Sequence, residues 1–125
     1  MTFARQRIGR RAEDLAAARL TAAGWRLVER NARTRLGELD IVALDGRTLV
    51  FVEVKAARAG SDLGPERPAL AVGPRKRLRI RRVATAWMAT RRDAPPYAEI
   101  RFDVIGVTYD RAGMNLAVEH IRDAF

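Results

Sequence analysis

The chain has 125 residues and no cysteine, one histidine and only two lysines, Lys55 and Lys76, so that 22 of its 24 basic residues are arginine. Without cysteine there are no disulfides and no thiolate metal sites, and nothing points to an oxidising compartment. Long apolar runs are missing too. No stretch approaches the roughly 20 residues that cross a bilayer, and the charged segment Met1 to Arg11 is followed by no apolar core, so it does not read as a signal peptide. A cytoplasmic location with no membrane partner is expected. The scarcity of lysine is itself a pointer. Arginine is the default positive charge here, and the two lysines mark places where a compact, titratable point charge serves and a planar fork does not.

Basic charge is plentiful. Lysine and arginine total 24 against 15 acidic residues, which gives a formal charge of +9 and a pI near 11.4. A small domain this basic favours a polyanion, because neutralising phosphates releases condensed counterions. Solubility alone is the competing account of the charge. Apolar residues at 48% and charged residues at 31% describe a globular chain rather than a disordered one. The length suits one domain over residues 1–125, enough to bury about two thirds of its unfolded surface.

Arg5 to Ala23 is predicted helical, with Ile8, Ala12, Leu15, Ala16 and Leu20 on one stripe and Gly24 as its stop. Glu13 sits at the border of that stripe, placed for partial burial or for a neighbouring cleft. Trp25 to Arg30 reads as a strand and Asn31 to Leu36 as a basic loop. Gly37 to Leu44 and Thr48 to Lys55 are strands joined across Asp45-Gly46, a strong hairpin signal. Ala56 to Pro74, rich in glycine and proline, is a long loop of the kind used as a functional lid or left disordered. Pro74 to Arg92 is a second helix with an apolar face at Ile80, Val83, Ala84, Trp87 and Met88 and an intensely basic start. Glu99 to Thr108 and Asn115 to Ile121 complete the strands. The order α-β-β-β-α-β-β, with a helix as crossover between the third and fourth strands, predicts an α/β fold built on a mixed five-stranded sheet flanked by helices.

The third strand alternates. Val50, Val52 and Val54 point to one face, Phe51, Glu53 and Lys55 to the other. Folding back the hairpin brings Asp40 beside Glu53. Two acids and a lysine converging from two strands suit a hard cation such as Mg²⁺ or Mn²⁺, which takes one or two carboxylates and keeps waters for a phosphate to displace. The metal polarises a phosphoryl oxygen and activates a water, and the lysine positions that water or offsets developing charge. A solvated, salt-bridged sheet face has the same pattern. Phe51, on the face of Glu53, and Val42 and Leu44, on the face of Asp40, argue against it, because ionised groups at the rim of an apolar surface need a reason.

These residues, with Gly9-Arg10-Arg11-Ala12-Glu13, Asn31 to Asp40, Phe51-Val52-Glu53-Val54-Lys55, Lys76, Arg101-Phe102-Asp103-Val104-Ile105 and His120 to Phe125, resemble the YraN family of small bacterial proteins. That family is placed in the PD-(D/E)xK, or restriction-endonuclease-like, superfamily, and the resemblance covers nearly the whole chain. It implies a restriction-endonuclease-like fold, Asp40 and Glu53 as metal ligands and Lys55 as the catalytic lysine. Glu13 is similar to the helix-borne acid of the Holliday-junction-resolvase branch, an additional ligand. Asp40 follows Leu39 rather than the proline of the superfamily's name.

Other residues read more plainly. Arg75, Lys76, Arg77, Arg79 and Arg82 crowd the start of the second helix, where cations oppose the helix dipole, so a phosphate partner is expected there. Asp103 either supports the site or forms a buried pair with Arg101. His120 reads as a packed histidine, Trp25 and Trp87 as core. The expected function is metal-dependent endonucleolytic hydrolysis of DNA rather than RNA, selective for structure because no helix offers base-reading polar residues. A homodimer is the expectation by analogy with junction-cleaving enzymes. The alternatives are a non-catalytic nucleic-acid-binding module or an adaptor that keeps the fold.

Overall fold

The computed structural model describes residues 2–59 and 67–125, with the side chains of 2–6, 115 and 116 left out. The predicted element order is the observed one: α1 (Thr2–Ala22), β1 (Arg26–Thr34), β2 (Gly37–Asp45), β3 (Thr48–Arg58), α2 (Pro74–Thr90), β4 (Glu99–Tyr109) and β5 (Asn115–Ile121). The five strands form one sheet in the order β1-β2-β3-β4-β5. All neighbours are antiparallel except β3 and β4, which are parallel and joined through α2. Among the described residues no helix is long and apolar enough to cross a membrane.

Two boundaries differ from the sequence reading. Asn31 to Thr34 is not loop but the end of β1, pairing Ala32 with Leu39 and Thr34 with Gly37. Only Ala32 of that stretch is buried, so an edge strand with a polar surface looks like a loop in sequence. β3 also runs beyond Lys55 to Arg58, because β4 offers it a parallel ladder as far as Tyr109. Of the expected loop from Ala56, residues 60–66 lie outside the described ones, and Pro68–Leu70 is a short 3₁₀ turn.

Strand alternation sorts the core into two layers. Ile41, Ala43, Val50, Val52, Ile105 and Val107 pack on Ala12, Ala16 and Leu20 of α1. Leu39, Val42, Phe51, Phe102 and Val104 pack on Ile80, Val83, Ala84 and Trp87 of α2. Trp25 and Trp87 are core residues, as their periodicity predicts. Two local features then place the site. The β2–β3 hairpin turns through Gly46 at φ +61, a left-handed conformation that glycine adopts without strain. This fixes Asp45 opposite Thr48 and Ile41 opposite Val52. Pro68–Leu70 lies on β4 at Gly106, where a Cβ would come within 2.5 Å of the Ala69 nitrogen. That close approach seats the chain leading into α2 directly on the sheet.

Candidate metal and nucleic-acid site

The β2–β3 ladder closes at Ile41 and Val52, and the next side chains out are Asp40 and Glu53. Asp40 Oδ2 accepts the Val54 N–H at 2.8 Å, so the carboxylate continues the ladder where backbone pairing ends. Glu53 is 7% exposed; at that depth a carboxylate requires nearby positive charge. Two lysines supply it. Lys76 Nζ stands 3.2 Å from Glu53 Oε1 and Lys55 Nζ 3.9 Å from the same oxygen. Lys55 comes from β3 itself. Lys76 comes from the first turn of α2, across the crossover.

Burial pushes the Asp40 carboxyl up to about 7; the nearby Glu53 charge adds to this and the Val54 N–H opposes it. The two acids follow the last ladder pair on neighbouring strands and stand near enough for the charge of one to act on the other. Asp40 and Glu53 are therefore the pair that could hold a hard divalent ion, with water completing its coordination.

Glu13 stands behind this pair. Its carboxyl is raised by burial, against the attraction of Arg30, and raised further by Glu38, while its own charge acts on Asp40. With its NH₂ turned toward the acids, the Asn31 amide bridges Glu13 Oε2 at 3.1 Å and Glu38 Oε1 at 3.0 Å. Asn31 adopts φ +51, a conformation that asparagine tolerates better than most residues. Its role was missed in sequence, where it opened a loop, and a lone asparagine in a basic stretch gives no signal of such a bridge. Among the described residues no three His, Cys, Asp or Glu side chains converge on one metal position. Glu13 is thus a neighbour of the carboxylate pair and makes no three-acid cluster with it.

The basic start of α2 divides by neighbour. Lys76 turns inward to Glu53. Arg77 Nε donates to the Val72 carbonyl at 2.7 Å, and its guanidinium lies over Phe125. Arg81 lies over Phe102 at 4.8 Å. Arg75, Arg79 and Arg82 are exposed and, among the described residues, meet no carboxylate. Arg82 also borders, with Arg35, Leu36 and Arg81, an open groove of about 430 Å³. The expected basic surface is there: Arg75, Arg77, Arg79 and Arg82 are all exposed, Arg77 with its Nε tied to the Val72 carbonyl, while Lys76 is half-buried and turned to Glu53.

Asp103 belongs elsewhere. It is registered beside Val52, hence on the α1 face of the sheet, while Glu53 is on the α2 face. It is fully buried. It accepts from Arg101 Nε at 2.9 Å and from the Asp123 N–H at 3.0 Å, and it pairs with His120 Nε2 at 2.8 Å. His120 packs edge-on against Trp25. This is the buried pair weighed in the sequence, with the histidine added.

Comparison with known proteins gives a family. The model described as "Uncharacterised protein family UPF0102", the YraN family, matches residues 12–107. A UPF0102 protein of Streptomyces griseus is 48% identical over 95% of this chain and 96% of its own length. One from a Parafrankia species is 51% identical over 96% of this chain and 97% of its own. Another, from Anaeromyxobacter dehalogenans, is 44% identical over 97% and 85%.

Proposed function

The chain belongs to the uncharacterised protein family UPF0102, and from its own geometry we propose that it is a metal-dependent, structure-selective DNA endonuclease working at Asp40, Glu53 and Lys55. One observation carries the reading. Two carboxyls project side by side where the β2–β3 ladder ends at the rim of an apolar core, and both lysines of the chain stand at the buried one. A sheet face built only for solubility has no use for so expensive a grouping.

Bound Mg²⁺ or Mn²⁺ would supply Lewis-acid polarisation of the phosphoryl group and a more acidic water. Asp40 and Glu53 hold that cation. Lys55 orients the attacking water and offsets charge gathering on the phosphoryl oxygens. The water oxygen bonds to phosphorus and gives up a proton, one P–O ester bond breaks, and the departing alkoxide takes a proton. Arg75, Arg79 and Arg82 grip backbone phosphates, which carry no sequence information. The absence of cysteine fits a cytoplasmic setting.

A second reading has one observation in its favour. With no three-acid metal cluster among the described residues, the domain could bind nucleic acid without cleaving it. Titration of Mn²⁺ with and without branched DNA, alongside a cleavage assay, separates the two. The nuclease reading expects Mn²⁺ binding and cleavage, with Lys55→Arg abolishing cleavage while leaving fold and DNA binding intact. Arginine keeps the charge but not the reach or geometry. DNA binding without Mn²⁺ binding or cleavage would establish the non-catalytic module.

A further inference from the structure

We propose that Lys76 is a tethered cation that occupies the Glu53 carboxylate until a divalent ion displaces it, so that this lysine sets the protein's metal affinity. The inference rests on the metal-site reading and goes beyond it by assigning a competitor for the site within the chain.

The geometry points to competition rather than support. Lys76 is the nearer of the two lysines, at 3.2 Å against 3.9 Å, and both approach the same oxygen, Oε1. A metal drawing on Glu53 must contend with that ammonium. Glu53 cannot stand alone in the absence of a metal, because its side chain is only 8% exposed and an unpaired buried charge is strongly destabilising. Lys76 answers that need, and its own side chain remains 35% exposed, so it has a path back to water when displaced.

The position of Lys76 strengthens the case. It lies in the first turn of α2, which contains no acidic residue, and a cation there opposes the helix dipole. The ion pair with Glu53 offsets that cost only while the site holds no metal. Once displaced, the ammonium sits at a helix N-terminus beside a metal-bound phosphodiester, where negative charge is at hand. Lys76 thus exchanges one anion for another, and metal binding becomes linked to substrate binding.

The choice of residue is also explained. This chain uses arginine at 22 of 24 basic positions, yet both groups facing Glu53 are lysine. A guanidinium would hold the carboxylate through a planar two-pronged contact, whereas an ammonium is a point charge that a metal ion can replace.

The test is calorimetric titration of Mn²⁺, without DNA, into wild type, Lys76→Gln, Lys76→Arg and Glu53→Gln. Circular dichroism and thermal melts accompany each variant. Lys76→Gln should bind Mn²⁺ at least tenfold more tightly than wild type. Lys76→Arg, which keeps the charge and so guards against loss of fold, should bind no more tightly than wild type. Glu53→Gln should lose binding. If Lys76→Gln binds Mn²⁺ with wild-type affinity or more weakly, the competition is refuted and the metal site itself stands. If neither wild type nor Lys76→Gln binds Mn²⁺ at millimolar concentration, the metal-site reading falls and the competition with it.

Discussion

Asp40 takes the place of a backbone partner for Val54: its Oδ2 receives that residue's N–H at 2.8 Å just past the last paired residues of β2 and β3. The bond ties the carboxyl to the strand that carries Glu53 and Lys55, so the two acids cannot drift apart to relieve their repulsion.

This constraint has a pH signature. Burial and Glu53 raise the Asp40 carboxyl from its ordinary 3.8 to about 7 in the folded chain. Between those values the folded protein binds a proton that the unfolded chain has lost, so stability falls as pH rises from 3.8 toward 7 and stays lowered above it. Asp40→Asn removes the dependence, since its amide oxygen still receives the Val54 N–H. In EDTA, urea melts at pH 4, 6 and 8 should show the variant overtaking wild type as pH rises. Parallel curves for the two proteins would contradict the raised Asp40 carboxyl.

Asp103 predicts the opposite sign. Burial alone would raise its carboxyl, but the bonds from His120, Arg101 and the Asp123 N–H outweigh that and hold it below 3.8. Its contribution is therefore complete above 3.8 and is lost as pH falls through the depressed folded value. Asp103→Asn takes the fully buried charge from the partly exposed Arg101 guanidinium, which keeps Asp45, and should cost about 1–3 kcal/mol. Because the cluster lies on the α1 face, Mn²⁺ affinity of the folded variant should match wild type. A tenfold loss of that affinity would join Asp103 to the site.

The basic surface can be dissected by salt. Replacing Arg79 and Arg82 with glutamine should flatten the slope of log DNA affinity against log salt by about two units, one for each phosphate contact. Arg77→Gln should act mainly on stability, by about 1 kcal/mol, through loss of the Val72 carbonyl bond and the contact with Phe125. An unchanged slope in the Arg79/Arg82 double variant would mean that this surface faces something other than a phosphate backbone.

Gly106 and Gly9 offer a matched pair for thermal melts. A methyl group at Gly106 would meet the Ala69 backbone at 2.5 Å, whereas one at Gly9 in α1 meets nothing within 4 Å. Gly106→Ala should cost about 1–3 kcal/mol through overpacking against a segment that cannot yield. Gly9→Ala should stabilise by up to about 1 kcal/mol through helix propensity. Equal melting temperatures for the two variants would show that the 3₁₀ turn does not depend on its contact with β4.

Much of the site is local chemistry, and local chemistry is legible in sequence. Alternation in Val50 to Lys55 fixed which side chains share a face, because strand side chains alternate whatever the rest of the chain does. Asp45-Gly46 marked the hairpin, but its two turn residues are Gly46 and Arg47, and it is the register that pairs Asp45 with Thr48 and Ile41 with Val52 that sets Asp40 beside Glu53. Arg101 and Asp103, two apart on one strand, had to share a face as well. The contact between Lys76 and Glu53 had no such local cause. It depends on how far the crossover carries α2 along the sheet, which is decided by the packing of Ile80, Val83 and Trp87 and by the seat of Ala69 on Gly106. The same holds for His120 on Asp103, which needs the register of β5, and for Asn31 between Glu13 and Glu38, which needs α1 docked against the edge of the sheet. Periodicity and turn chemistry act over a few residues and so can be read from the chain; the choice of partners for side chains on separate elements belongs to docking, and only the folded structure makes it.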